Sequence, residues 1–152
     1  MMKKTLTFIF YIVMALGITG CETNKNEFDI GEKSNIEIIE SEVSFFVEEE
    51  TLTNAGGTFI LKNNSDKTFE YGNPYEMEIK KDNKWHKINV ELNFTLLAFQ
   101  LDAGESKEIK INWKNGYGKL SPGEYRIIKD INFEKEEGTY ETFFVAAEFT
   151  IK

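Results

Sequence analysis

From Val43 to the end of the chain, apolar and polar residues alternate with a period of two, and turn-forming residues break the alternation every eight to twelve positions. Such segments bury a single face only as strands, because a helix would scatter the same side chains around its circumference. Val43, Phe45 and Val47 point one way and Ser44, Phe46 and Glu48 the other; after Gly56 and Gly57, Phe59 and Leu61 oppose Thr58, Ile60 and Lys62. Residues 63–66 (Asn-Asn-Ser-Asp) turn the chain. Phe69 and Tyr71 then lead into Gly72-Asn73-Pro74, where proline lacks the N–H that a central ladder needs. Tyr75, Met77 and Ile79 alternate with Glu76, Glu78 and Lys80, and Asp82-Asn83 is a tight turn into residues 85–90, so these two strands make a hairpin. Ile109, Ile111 and Trp113 form another strand, and residues 124–132 and 140–151 complete the set. Regular short strands with turn signals between them predict an all-β sandwich of seven or eight mainly antiparallel strands over residues 42–152. Residues 93–101 are apolar on both faces, which suits either a buried strand or a short helical crossover.

The N-terminus reads differently. Residues 1–4 are basic, and residues 6–18 form an almost unbroken apolar run that ends in small residues. About 20 apolar residues are needed to span a bilayer, so residues 1–20 read as an export signal that is cut. Ile18-Thr19-Gly20-Cys21 resembles the lipobox of bacterial lipoproteins, whose cysteine receives a diacylglyceryl group before cleavage. That resemblance implies lipid attachment at Cys21, the chain's single cysteine, and an anchor on the extracytoplasmic side of the cell membrane. An incidental cysteine beside an ordinary signal peptide is the alternative. Residues 21–41, rich in Asn, Lys, Glu and Ser, read as a flexible tether, with Ile36, Ile38 and Ile39 as a possible first edge strand.

Loss of residues 1–20 removes Lys3 and Lys4 and no acid, leaving 16 basic and 26 acidic side chains, a formal charge of −10. An acidic surface argues against nucleic acid as a partner, since phosphate backbones demand basic residues. Of the chain's 21 aromatic side chains, 18 follow residue 20 and supply a core without disulfides.

Leu120-x-x-Gly123-x-Tyr125 at the start of a late strand resembles the tyrosine corner of immunoglobulin-like sandwiches, in which Tyr125 would bond back to upstream backbone while its ring packs in the core. With Asn63-x-Ser65-Asp66-Lys67-x-Phe69-x-Tyr71-Gly72, Trp85, Ile111-Asn112-Trp113, Arg126-Ile127-x-Lys129 and Ala147-Glu148-Phe149, the chain resembles bacterial immunoglobulin-like domains found as lipoproteins and as extracellular appendages of membrane sensors. The resemblance implies an immunoglobulin-like sandwich outside a membrane. It carries no catalytic residues and no cofactor.

Chemistry in the residues themselves is sparse. His86, the single histidine, stands between Trp85 and Lys87 with no nucleophile beside it. Glu48, Glu49, Glu50, Glu134, Glu136 and Glu137 read as solvated, edge-protecting charge, and no Asp-x-Asp-x-Asp-Gly calcium loop occurs. A paired-glutamate envelope hydrolase therefore stays the rival to a non-enzymatic binding module, whose partner would be a protein or an envelope glycan. A third reading makes the chain an accessory or ligand-sensing subunit of a membrane protein. Phe45-Phe46 and Phe143-Phe144 must each send one ring to each face of a sheet, so Phe46 and Phe144 are either covered by a neighbouring segment or exposed for a partner.

Overall fold

The computed structural model describes residues 28–40 and 42–152. The signal segment, Cys21 and the first part of the expected tether lie outside the described residues. Among the described residues, ten strands form two packed sheets. The smaller sheet has the order β2-β3-β8, from β2 (Val43–Val47), β3 (Gly56–Asn63) and β8 (Ser106–Asn112). The larger contains β1 (Ile30–Lys33), β4 (Phe69–Gly72), β5 (Glu76–Lys81), β6 (Lys84–Ile88), β7 (Ala98–Leu101), β9 (Gly123–Glu136) and β10 (Thr139–Ile151). A 3-10 turn (Glu49–Thr51) and a single helical turn, α1 (Lys114–Tyr117), complete the described structure, and no described helix is long and apolar enough to cross a membrane.

The long hairpin β9–β10 is the spine of the larger sheet, paired antiparallel from Gly123↔Ile151 to Glu136↔Thr139. With one edge of β9 fully occupied by β10, β4 and β5 share the other edge. Tyr71 pairs with Ile131, and Glu76 pairs with Ile128. These two strands therefore lie end to end along β9. Gly72, Asn73, Pro74 and Tyr75 bulge between them, as the proline's missing N–H requires. From this fork β6 continues outward beside β5 and β7 beside β4. The β5–β6 turn has Asp82 at φ 50° and Asn83 at φ 58°, the left-handed pair that matches strand twist in a two-residue hairpin.

The alternation in the sequence places the core. In β2, Val43, Phe45 and Val47 are buried, and Phe59 and Leu61 of β3 are fully so. Trp113 stacks on Phe149 at 5.4 Å and meets the edge of Phe59 at 6.4 Å, and its indole N–H donates to the Asn54 carbonyl at 2.9 Å. Gly56 permits β3 to approach β8 closely: a Cβ there would stand 2.5 Å from the Ile111 carbonyl oxygen.

Among the described residues ten strands stand where seven or eight are expected, and β1 and β7 are short edge strands. β1 lies within the stretch read as tether: it pairs with β6 through Ile30↔Ile88 and Lys33↔His86, so residues 28–40 run against the larger sheet instead of hanging free. No period revealed this, because a four-residue edge strand with a bulge carries none. Residues 93–101 form neither a helix nor a buried strand. They run as irregular chain into β7, with Leu96 90% exposed, because β4 offers only four residues of ladder to pair with.

Lys129 lies on the core-facing row of β9 and fills the gap at the fork. Its Nζ donates to the carbonyls of Gly72 at 2.7 Å and Pro74 at 2.9 Å, satisfying groups that the bulge takes out of the ladder. Burial lowers its pKa from 10.5 to about 8. Between those values the unfolded chain holds a proton that the native chain has released, so stability rises with pH. Tyr75 and Tyr117, pushed by burial to about 12, reverse the trend above pH 10, where the native state retains protons that the unfolded state loses. Urea unfolding at pH 7.5 and 9.5 is expected to show a gain on the order of 1–2 kcal/mol at the higher pH, and Lys129→Met should abolish that gain.

Candidate functional site

The outer face of the larger sheet, turned away from the core, carries the chain's concentrated chemistry. Period two puts Glu76, Glu78 and Lys80 of β5 on this face beside Arg126, Ile128 and Asp130 of β9 and Phe144, Ala146 and Glu148 of β10. Cross-strand register then sets Glu78 opposite both Lys87 and Arg126, and Arg126 opposite Glu148.

At the centre of this face, Arg126 Nε and Nη2 donate to Glu78 Oε2 at 2.8 and 2.7 Å. Both side chains are withdrawn from solvent, Glu78 to 1% exposure. Its other oxygen, Oε1, is buried with no hydrogen-bond partner among the described residues. The guanidinium carbon lies 4.7 Å from the centre of the Trp85 ring, so the cation is held between a carboxylate and an aromatic face. Around this pair the contacts are exposed and correspondingly weak: Lys87–Glu76 at 2.7 Å and Lys80–Glu124 at 3.4 Å.

Ile128, one step along β9, is also buried yet stands outside the core cluster. A cover on the outer face explains this, and the cover is the segment after β1. Between Ser34, whose N–H donates to the Trp85 carbonyl on β6, and Ile39, whose N–H donates to the Phe144 carbonyl on β10, the chain crosses the sheet. Two grooves flank it. One, of about 370 Å³, has Ile36, Tyr75, Phe94, Ile128 and Phe144 in its walls, with Glu76, Lys87 and Asp130 at its polar margin. The other, of about 300 Å³, lies among Ile38, Phe46, Arg126, Ala146 and Glu148.

Phe46 is 48% and Phe144 37% exposed. The crossing segment touches the Phe144 strand without covering the ring, and Phe46 meets the second groove on the other sheet. Residues 93–101, the alternative cover, contribute Phe94 to the first groove and leave Leu96 and Leu97 in solvent.

Tyr125 is buried near the start of β9. Its hydroxyl donates to the Ser121 carbonyl at 2.9 Å and its ring stacks on Phe149 at 6.0 Å. His86 Nδ1 lies 3.2 Å from the Gly31 carbonyl, where the Nδ1–H tautomer ties β1 to β6. Glu48 to Glu50 occupy the 3-10 turn and its cap, and Glu134, Glu136 and Glu137 the far end of the β9–β10 hairpin, so the two acidic runs sit in separate places. No group of three His, Cys, Asp or Glu among the described residues is placed to hold a metal ion.

The features sequence reasoning missed are the buried Glu78–Arg126 pair and its cover. Alternation assigned Glu78 to a polar face, and only the stretch Ile36-Glu37-Ile38-Ile39, apolar inside a polar segment, hinted that something lay over it.

The sequence profile of a family described as a bacterial Ig-like domain matches residues 39–150. No curated protein and no solved structure matches the chain.

Proposed function

The chain belongs to the bacterial Ig-like domain family, and we propose that it is a lipid-anchored module on the outer side of the cell membrane that binds another protein through the outer face of its larger sheet. The observation that carries the reading is the half-exposed Phe144 beside a concave, mostly apolar groove with a polar margin, the composition of a recognition surface. Folds of this kind serve many roles, so the site and not the sandwich supports the reading. The anchor rests on the lipobox-like Ile18-Thr19-Gly20-Cys21 and the apolar run before it. A non-enzymatic role agrees with the separation of the acidic runs and with the structural bond of His86.

Cross-linking on intact cells tests this. The native protein is expected to capture a membrane or surface protein. Cys21→Ala should lose the capture by releasing the anchor, and Phe144→Ser should lose it at a stability cost of only about 1–2 kcal/mol, because the ring is already partly hydrated. Capture that survives Phe144→Ser removes the groove from the proposal. Capture by the Cys21→Ala form equal to the native form removes the anchor.

A further inference from the structure

The segment that crosses the outer face is held far more weakly than what it covers. Beneath it, β9 and β10 pair along their whole lengths. The segment itself has one bridge, Ile38↔Phe144, and its main-chain bonds to the sheet are made by Ser34 and Ile39 at its ends. In between, the Ile36 N–H turns back to the segment's own Ser34 Oγ at 3.3 Å. Ile36 and Ile38 are only half-buried, while Asn35 and Glu37 point to solvent. Stretches with few buried apolar contacts and few ladder bonds open locally at the least cost.

We infer that residues 34–38 form a releasable strap over a peptide-binding surface, and that a partner's extended segment with apolar residues at alternate positions binds by taking the strap's place across the outer face, from β6 to β10. The strap itself shows what fits. Its pattern, Ile36 and Ile38 with a polar residue between, is seated on the surface, and the edge of β10 that does not pair with β9 receives it at Phe144 as a parallel bridge. Removing the strap joins the grooves on its two sides into one trough floored by Ile128 and Ala146. A polypeptide is the occupant because the seat the strap leaves has main-chain acceptors at its two ends, the Trp85 and Phe144 carbonyls, for another chain's N–H groups, and alternate apolar side chains then enter the trough between them. The family match starts at Ile39, which places the strap before the matched domain and next to the proposed anchor. This inference rests on the binding-module reading and adds the chemistry of the ligand and the state in which it binds.

The test uses a labelled synthetic peptide with the sequence of residues 33–40 and the purified full-length chain. Ile36→Ser with Ile38→Ser loosens the strap and is expected to tighten peptide binding at least tenfold over the unaltered chain. Ile39→Pro, which removes the N–H that holds the strap's end to the Phe144 carbonyl and leaves Phe144 itself in place, is expected to tighten peptide binding by a similar factor. Either loosened variant that keeps its melting temperature yet binds no better overturns the strap. No natural partner takes part, so failure here leaves the cell-surface capture to be judged on its own result.

Discussion

Arg126→Met is expected to cost about 3–5 kcal/mol of folding stability, the range found when one member of a buried ion pair is removed. The cost comes from what stays behind. Glu78 Oε2 loses both of its donors, and Oε1 already has no partner among the described residues, so a carboxylate at 1% exposure is left without compensation. Methionine keeps much of the aliphatic volume against Trp85, so little of the loss reflects packing. Urea unfolding should show a fall in the midpoint at an unchanged slope, since the surface exposed on unfolding hardly differs. The double variant Glu78→Met with Arg126→Met is expected to recover most of the loss, because replacing both charges with apolar groups removes the desolvation penalty together with the attraction. A single substitution that costs less than about 1 kcal/mol would show that solvent reaches the pair and that the strap above it is open for much of the time.

The position of this pair also shows where a sequence stops being informative. Alternation around Glu78 and Arg126 correctly gives their face, because which way a strand residue points is a local property. Whether that face is wet depends on a segment about 40 residues from Glu78 and about 90 from Arg126, and four isoleucine-rich positions among polar ones have no period to announce a strap. The β5–β6 hairpin was legible for the opposite reason: Asp82 and Asn83 accept the left-handed conformation that fixes both turn and register. The fork was not legible. β4 and β5 read as two neighbouring strands, yet they share one edge of β9, and only the length of β9 and its complete pairing with β10 make that arrangement necessary. Residues 93–101 mislead in the same manner. Their apolar character suggested burial, and the fold instead leaves Leu96 and Leu97 in solvent beyond the end of a four-residue ladder.

Trp113→Ala is expected to be the most damaging single truncation in the core, at about 4–5 kcal/mol. Large aromatic deletions cost about 3–5 kcal/mol through lost transfer energy and the cavity left behind, and this site lies at the upper end for three reasons. The ring is fully buried at the junction of both sheets, between Phe59 of β3 and Phe149 of β10, so neither sheet can close the void alone. The stacked geometry with Phe149 contributes beyond area. The Asn54 carbonyl loses the indole N–H, adding roughly 1 kcal/mol. Trp113→Phe separates these effects: it keeps a ring between Phe59 and Phe149 but removes the donor and part of the volume, so it should cost about 1–2 kcal/mol. Because domains of this size are stable by only about 5–15 kcal/mol, the alanine variant should sit near its unfolding midpoint at physiological temperature and lose near-ultraviolet circular dichroism. The two single losses, Arg126→Met on the outer face and Trp113→Ala in the core, touch no common residue, and their effects should add within about 0.5 kcal/mol when measured in urea on less damaging versions, Arg126→Lys and Trp113→Phe. A clear departure from additivity would mean that the outer face and the core of the larger sheet respond as one unit, transmitted through β9 and β10.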